Sequence, residues 1–250
     1  MPKIETIILN CLNPAAQRQF YVDILGMNSS GDASLGYGGR QARLAFFQSS
    51  EPYKPEPNDV YWKIALAVPD IELAYRQLTD FGVTVSEPKQ FRDIGYLAHL
   101  KDPEGFTIEL VNHRFKDESP KVVSNSDKLG GGATLNLLTL RTANIEAAKV
   151  RLEEFGMKLL SIQPVESHGF TLYFYAFTDD VPPSNDPIAL INRCWLYQRP
   201  YTVLEVQHLH EADGIAPPSA KRAGYAGTVF SGLAEKATCR EFLIESRGYD

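Results

Sequence analysis

Residues 62–82 read WKIALAVPDIELAYRQLTDFG, and this stretch decides the fold. The apolar run from Trp62 to Val68 has the length and composition of a buried strand. Pro69-Asp70 stops it and offers a carboxylate to cap a helix. Leu73, Ala74 and Leu78 then recur at helical spacing, which gives one buried face, and Gly82 is placed to end the helix in a left-handed turn.

The same grammar recurs on either side. Ile4 to Asn10 reads as a strand, Asn13-Pro14 as a cap with proline at the first helical position, Ala16, Phe20, Ile24 and Leu25 as the apolar face, and Gly26 as the stop. Leu135 to Thr142, Asn144, then Ile145, Ala148, Leu152 and Gly156 repeat it a third time. Cap and glycine are 12 positions apart in the second and third copies and 13 in the first. A fixed order of elements returning at fixed spacing is the mark of a repeated unit. Each helix is followed by strand candidates: Ala42 to Phe47; Tyr96 to Leu100 and Phe106 to Val111; Phe170 to Phe177 and Thr202 to His208. The turn Asp102-Pro103-Glu104-Gly105 makes one pair a hairpin. The expected architecture is α+β, built from βαβββ modules.

Lys116 to Gly132 is rich in Lys, Asp, Ser and Gly without an apolar period, so it reads as a linker. The expected organisation is a first domain at 1–115 holding modules 1–50 and 58–113, a linker at 116–131, and a second domain at 132–250. The second domain holds one complete module, 132–210, and, after a loop at Ala216-Pro217-Pro218, a partial fourth at 221–250. There Gly224 to Ser231 is the strand and about Leu233 to Ile244 the helix.

The 250 residues are 44% hydrophobic and 22% charged, an ordinary globular composition. A net charge of -6 with interspersed signs offers no basic stripe, so nucleic acid is not expected as a partner. Neither a signal peptide nor a run of roughly 20 apolar residues is seen, which predicts a protein that does not engage membranes. Three cysteines, far apart and odd in number, read as reduced thiols of a cytoplasmic protein.

Phe20-Tyr21-Val22-Asp23-Ile24-Leu25-Gly26-Met27, Ile64 to Asp70 with Asp102 to Leu110, and Phe170 to Phe177 with Thr202 to Val206 resemble the vicinal-oxygen-chelate superfamily. That is the group of glyoxalases, bleomycin-resistance proteins and extradiol dioxygenases, and the match lies nearest to glyoxalase I modules. The resemblance implies cup-shaped mixed sheets from paired modules. Inside the cup it implies one divalent metal, zinc, nickel, iron or manganese, acting as a Lewis acid on a small organic substrate with vicinal oxygens.

The resemblance places ligands at Glu109 and Glu205, each flanked by apolar residues on a strand and so turned to the opposite face from them. The same carboxylates are the catalytic candidates. The ligand positions on the first strands hold Thr6, Lys63 and Leu137, with Gly227 in the partial fourth module, and the position near Ala45 is also apolar. Lys63 has two readings: an ion-pair partner of Glu109 standing in for the metal, or a cation that grips an acidic ligand. His99, on the strand beside Glu109, is the candidate spare metal ligand. His113 shares the face of Glu109, whereas His208 and His210 do not share that of Glu205. Arg141 stands where the resemblance implies an arginine for a substrate carboxylate, and Tyr173 and Tyr175 are candidates to line the cavity, as are Trp195, Tyr197 and Tyr201.

Two functions follow: a metal-dependent lyase or dioxygenase, or a cup without metal that binds an organic molecule, as in bleomycin resistance, with a degenerate module beside them. An incomplete fourth module leaves sheet edges to cover, so a homodimer is also expected.

Overall fold

The computed structural model describes residues 1–30, 34–118, 125–216, 222–233, 238–239, 242 and 244–246. In chain order the strands are β1 Lys3–Cys11, β2 Asn28–Ser29, β3 Leu35–Gly36, β4 Arg43–Gln48, β5 Tyr61–Val68, β6 Lys89–Phe91, β7 Gly95–Lys101, β8 Thr107–Asn112, β9 Thr134–Thr142, β10 Lys158–Val165, β11 Phe170–Ala176, β12 Val203–Leu209, β13 Gly224–Ser231, β14 Thr238–Cys239 and β15 Ile244–Ser246. The helices are α1 Pro14–Gln19, continued as a π-helical turn over Phe20–Ile24, α2 Ile71–Asp80, α3 Ile145–Glu154 and α4 Ile191–Leu196.

The three expected helices start where the cap residues stand. Asn13, Asp70 and Asn144 each accept a hydrogen bond from the backbone N–H three residues on. Gly26, Gly82 and Gly156 follow the helices with φ of 71°, 75° and 82°, which a side chain would strain.

Two sheets result. The larger runs β10-β11-β12-β9-β5-β8-β7-β6 and the smaller β14-β15-β13-β1-β4-β3-β2. Within a module the first strand lies parallel to the last, β5 with β8, β9 with β12 and β1 with β4. Between modules the first strands meet antiparallel, β5 with β9 and β1 with β13. The pairing is therefore nested. The second and third modules share the larger sheet across the segment at 116–131, and the first shares the smaller one with the final strands.

The end of that segment is not loose. Gly130 donates to Gln77 on α2, accepts from the Asp70 amide, and sits against the Val68 side chain. Residues 119–124 and Pro217-Pro218 lie outside the described residues. The helix expected from Leu233 to Ile244 is corrected: Thr238–Cys239 is a strand paired antiparallel with Ile244–Ser246, which itself lies parallel to β13. Sheet hydrogen bonding along the open edge of β13 outweighs a weak helical period there. The other residues of that range, apart from Leu233 and Phe242, lie outside the described ones.

The main core fills the space between the sheets and the helices. A second, smaller apolar cluster lies inside the curl of the larger sheet and includes Ala65, Leu137, Leu172, Phe174, Leu196 and Tyr197. Leu196 and Tyr197 come from the long connection between β11 and β12. In the second module the matching connection is the tight turn at Asp102 to Phe106, whose Asp102 N–H donates to the Phe106 carbonyl. In the third it carries α4 across to the other half of the cup.

Candidate binding cup

On β5, β8, β9 and β12 the period of two turns Lys63, Glu109, Leu137, Thr139 and Glu205 to the concave face, because the intervening apolar residues pack on the helices. These side chains meet at the floor. The Lys63 ammonium donates to Glu109 Oε1 at 3.0 Å and to Thr139 Oγ1 at 3.0 Å, and it reaches Glu205 Oε2 at 3.3 Å and Oε1 at 3.4 Å. On the other side of Glu109, Oε2 lies 3.0 Å from His99 Nε2. Lys63, Glu109 and Glu205 are only 1%, 6% and 2% exposed, so their charges are answered within the protein.

The electrostatics are unequal. Burial alone would raise the pKa of Glu109, but the Lys63 charge and the His99 hydrogen bond bring it down to about 2. Glu205 shares the same ammonium at longer range and is held above its ordinary value, by burial and by the neighbouring Glu109 charge. Burial pushes Lys63 down, and the two carboxylates more than offset this, so its pKa is raised.

Above the floor is a cavity of about 380 Å³. Trp62, Phe91, Phe170, Phe174 and Tyr197 give it aromatic walls, and Ile94, Leu97, Leu137 and Leu172 complete the apolar lining. Tyr197 is held by its hydroxyl on the Ile94 carbonyl at 2.9 Å. Arg193 of α4, which is buried, pairs with Asp93 at 2.7 Å. The β11–β12 connection is thus strapped to the β6–β7 turn and fills one end of the cup.

The expected site residues divide. Lys63, Glu109, Glu205 and His99 come together at the floor, and Tyr197 joins the wall. Arg141 shares their strand face but lies apart from the cavity lining. Its Nε donates to Gln207 Oε1 at 3.0 Å, and its guanidinium lies 5.5 Å from the Trp62 ring centroid. Tyr173 and Tyr175 are on the opposite face of β11 from Leu172 and Phe174: Tyr175 is fully buried in the main core, and Tyr173 packs against it with Lys149 at 5.1 Å. Their expected place in the lining is corrected, since strand alternation gives the cavity to the even-numbered residues. His113 and Trp195 are also absent from the lining. Thr139 and Trp62 escaped notice in the sequence. Thr139 was findable, two residues from Leu137 on the same strand; Trp62 was not, because a bulge between Tyr61 and Lys63 breaks the alternation there.

A divalent ion does not fit this arrangement. The point between the two carboxylates already holds an ammonium, Leu137 brings no donor atom, and His99 lies on the far side of Glu109 from Lys63. Among the described residues no cluster of three or more His, Cys, Asp or Glu side chains has the geometry to hold a metal. Nor is any described helix long and apolar enough to cross a membrane.

Residues 3–110 match the model of the Glyoxalase/Bleomycin resistance protein/Dioxygenase superfamily. Over 128 residues the chain is 27% identical to a lactoylglutathione lyase of Schizosaccharomyces pombe, a stretch that is 51% of this chain and 39% of that enzyme. The match thus spans about two fifths of that relative's length. Glyoxalase I from Zea mays superposes with a TM-score of 0.64 at 16% identity, covering 92% of this chain and 74% of that one. A Bacillus subtilis protein named as a candidate dioxygenase gives 0.54 at 16% identity, covering 92% and 70%. At such identities the structural likeness is one of fold.

Proposed function

We propose that the chain, whose residues 3–110 match the glyoxalase, bleomycin-resistance-protein and dioxygenase superfamily model, belongs to that superfamily, and that its larger sheet forms a metal-independent cup that binds a small organic molecule. One observation carries this reading: the Lys63 ammonium sits between Glu109 and Glu205, 3.0 Å and 3.3 Å away, where the resemblance implies a metal. An ammonium on a four-carbon stem supplies the compensating charge that buried carboxylates require, but it has no open coordination position and cannot polarise two substrate oxygens. The walls support the same reading. An aromatic, concave and largely pre-formed cavity with a few polar groups at one end is the common form of a small-molecule site.

The test is a thermal-shift panel of small aromatic compounds, run beside elemental analysis of the purified chain. A ligand present well above its Kd raises the unfolding temperature. Leu137→Trp, which fills the cup from its floor, should abolish the shift. A stoichiometric, tightly held divalent metal would overturn the reading.

A second reading is a lyase in which Glu109 and Glu205 are the catalytic pair; it is favoured by the lyase among the relatives. It calls for turnover of a hemithioacetal that is lost in Glu205→Gln.

A further inference from the structure

The cup floor has an asymmetry of hydrogen-bonding capacity that narrows the ligand. Lys63 has three N–H donors, and all three are engaged: Glu109 Oε1 at 3.0 Å, Thr139 Oγ1 at 3.0 Å, and the Glu205 carboxylate at 3.3 Å and 3.4 Å. Two carboxylates together offer about eight lone-pair sites, and the contacts from Lys63, Thr139 and His99 leave about three of them open. What the floor has left to give is therefore acceptors.

Charge points the same way. The ionisable side chains lining the cavity, histidines apart, are Lys63 and Lys89 against Glu87, Glu109 and Glu205, one carboxylate in excess. Glu109 and Glu205 share a single ammonium, and Glu205 is held above its ordinary pKa by burial and by its neighbour's charge. That is how a site short of one positive charge behaves. The walls add a third, independent element. The faces and edges of Trp62, Phe91, Phe170, Phe174 and Tyr197 suit both a flat ring and a cation brought next to it. Lys63 itself already lies 4.8 Å from the Trp62 ring centroid.

Resting on the binding-cup reading above, we infer that the ligand is an aromatic organic cation, a ring system bearing an amine or amidine head, with the ring between the aromatic walls and the head donating to Glu205 and Glu109. An anionic head is disfavoured because the lysine at the floor has no donor to spare and the carboxylates repel it.

The test uses three probes that share one ring: 2-naphthylmethylamine, 2-naphthalenemethanol and 2-naphthoate, each titrated calorimetrically into the unmodified chain. The amine should bind about tenfold more tightly than the naphthoate, with the alcohol between them. In Glu205→Gln the amine's advantage should fall to about threefold or less, and Glu205→Asp should restore it. Because each readout is a ratio within one protein sample, partial unfolding of a variant does not imitate the effect. Naphthoate binding as tightly as the amine, or more so, overturns this inference and leaves the cup a binding site. Failure of all three probes at millimolar concentration overturns both.

Discussion

Gln17 Nε2 donates to Asp102 Oδ2 at 2.6 Å, joining the first helix to a turn of the next module. The same oxygen accepts from Tyr21 Oη at 3.0 Å, and Oδ1 accepts the amides of Glu104 and Phe106 at 3.0 Å each. Burial pushes the Asp102 pKa up to about 6 despite these donors. Because the folded value exceeds the unfolded one, this group's contribution is fully present below about pH 4 and lost as pH rises through about 6. Asp102→Asn should remove that pH dependence at little cost, under about 1 kcal/mol, because the Gln17 amide can turn to offer its buried and unpartnered Oε1. Asp102→Ala, which strands several donors, should cost about 2–4 kcal/mol. Urea unfolding at pH 4 and pH 8 measures both.

Lys63→Met should cost about 3–5 kcal/mol at neutral pH, because two buried carboxylates lose their cation. Adding Glu109→Gln and Glu205→Gln to it should recover most of the loss. A triple variant no more stable than the single one would show that the ion cluster is not what the fold depends on.

The pH response should invert in that single variant. In the unaltered chain Glu109 has its pKa depressed from 4.5 to about 2, so its contribution is present above about pH 4.5 and lost as pH falls toward 2. With Lys63 gone, burial dominates and both carboxylates rise, so lowering the pH from 7 to 5 should stabilise Lys63→Met. Unfolding midpoints across that range decide it.

Tyr197→Phe removes only the bond to the Ile94 carbonyl and should cost about 1 kcal/mol. Tyr197→Ala should cost about 3–5 kcal/mol and admit longer ligands, since the ring closes one end of the cup. Equal costs for the two would mean that the ring packs less tightly than its burial implies.

Gly130→Ala tests the seat of the segment before β9. Its φ is 54°, and an added Cβ would lie 2.7 Å from Val68 Cβ and 2.9 Å from the Asp70 carbonyl oxygen. A loss of about 2–4 kcal/mol in denaturant unfolding is expected.

Local grammar made the modules legible. Asn13, Asp70 and Asn144 cap helices because a short polar side chain can reach the N3 amide, and that depends on neighbours in sequence alone. The carboxylates of the floor were legible for a similar reason: a glutamate between apolar residues on a strand must face away from them, and Glu109 and Glu205 obey. Module pairing was not legible, because β5 against β9 and β1 against β13 are choices among similar first strands made by long-range packing. Tyr173 and Tyr175 show the limit of composition. Five of the seven residues from Phe170 to Ala176 are aromatic or leucine, so the sequence marks a buried strand without saying which alternate set faces the cavity. The strap was hidden too, since the short α4 has no cap and is held by Arg193 and Tyr197 reaching another module.

The nested order of the sheets has a consequence for biosynthesis. β1 pairs with β13 in a register that sets Lys3 opposite Ser231, so β1 leaves the ribosome well before the strand it pairs with and must wait for it. The inner cup, made from neighbouring stretches of chain, can close while the outer sheet still has an unpaired edge. The first module is thus the part of the nascent protein that most needs shielding from other chains.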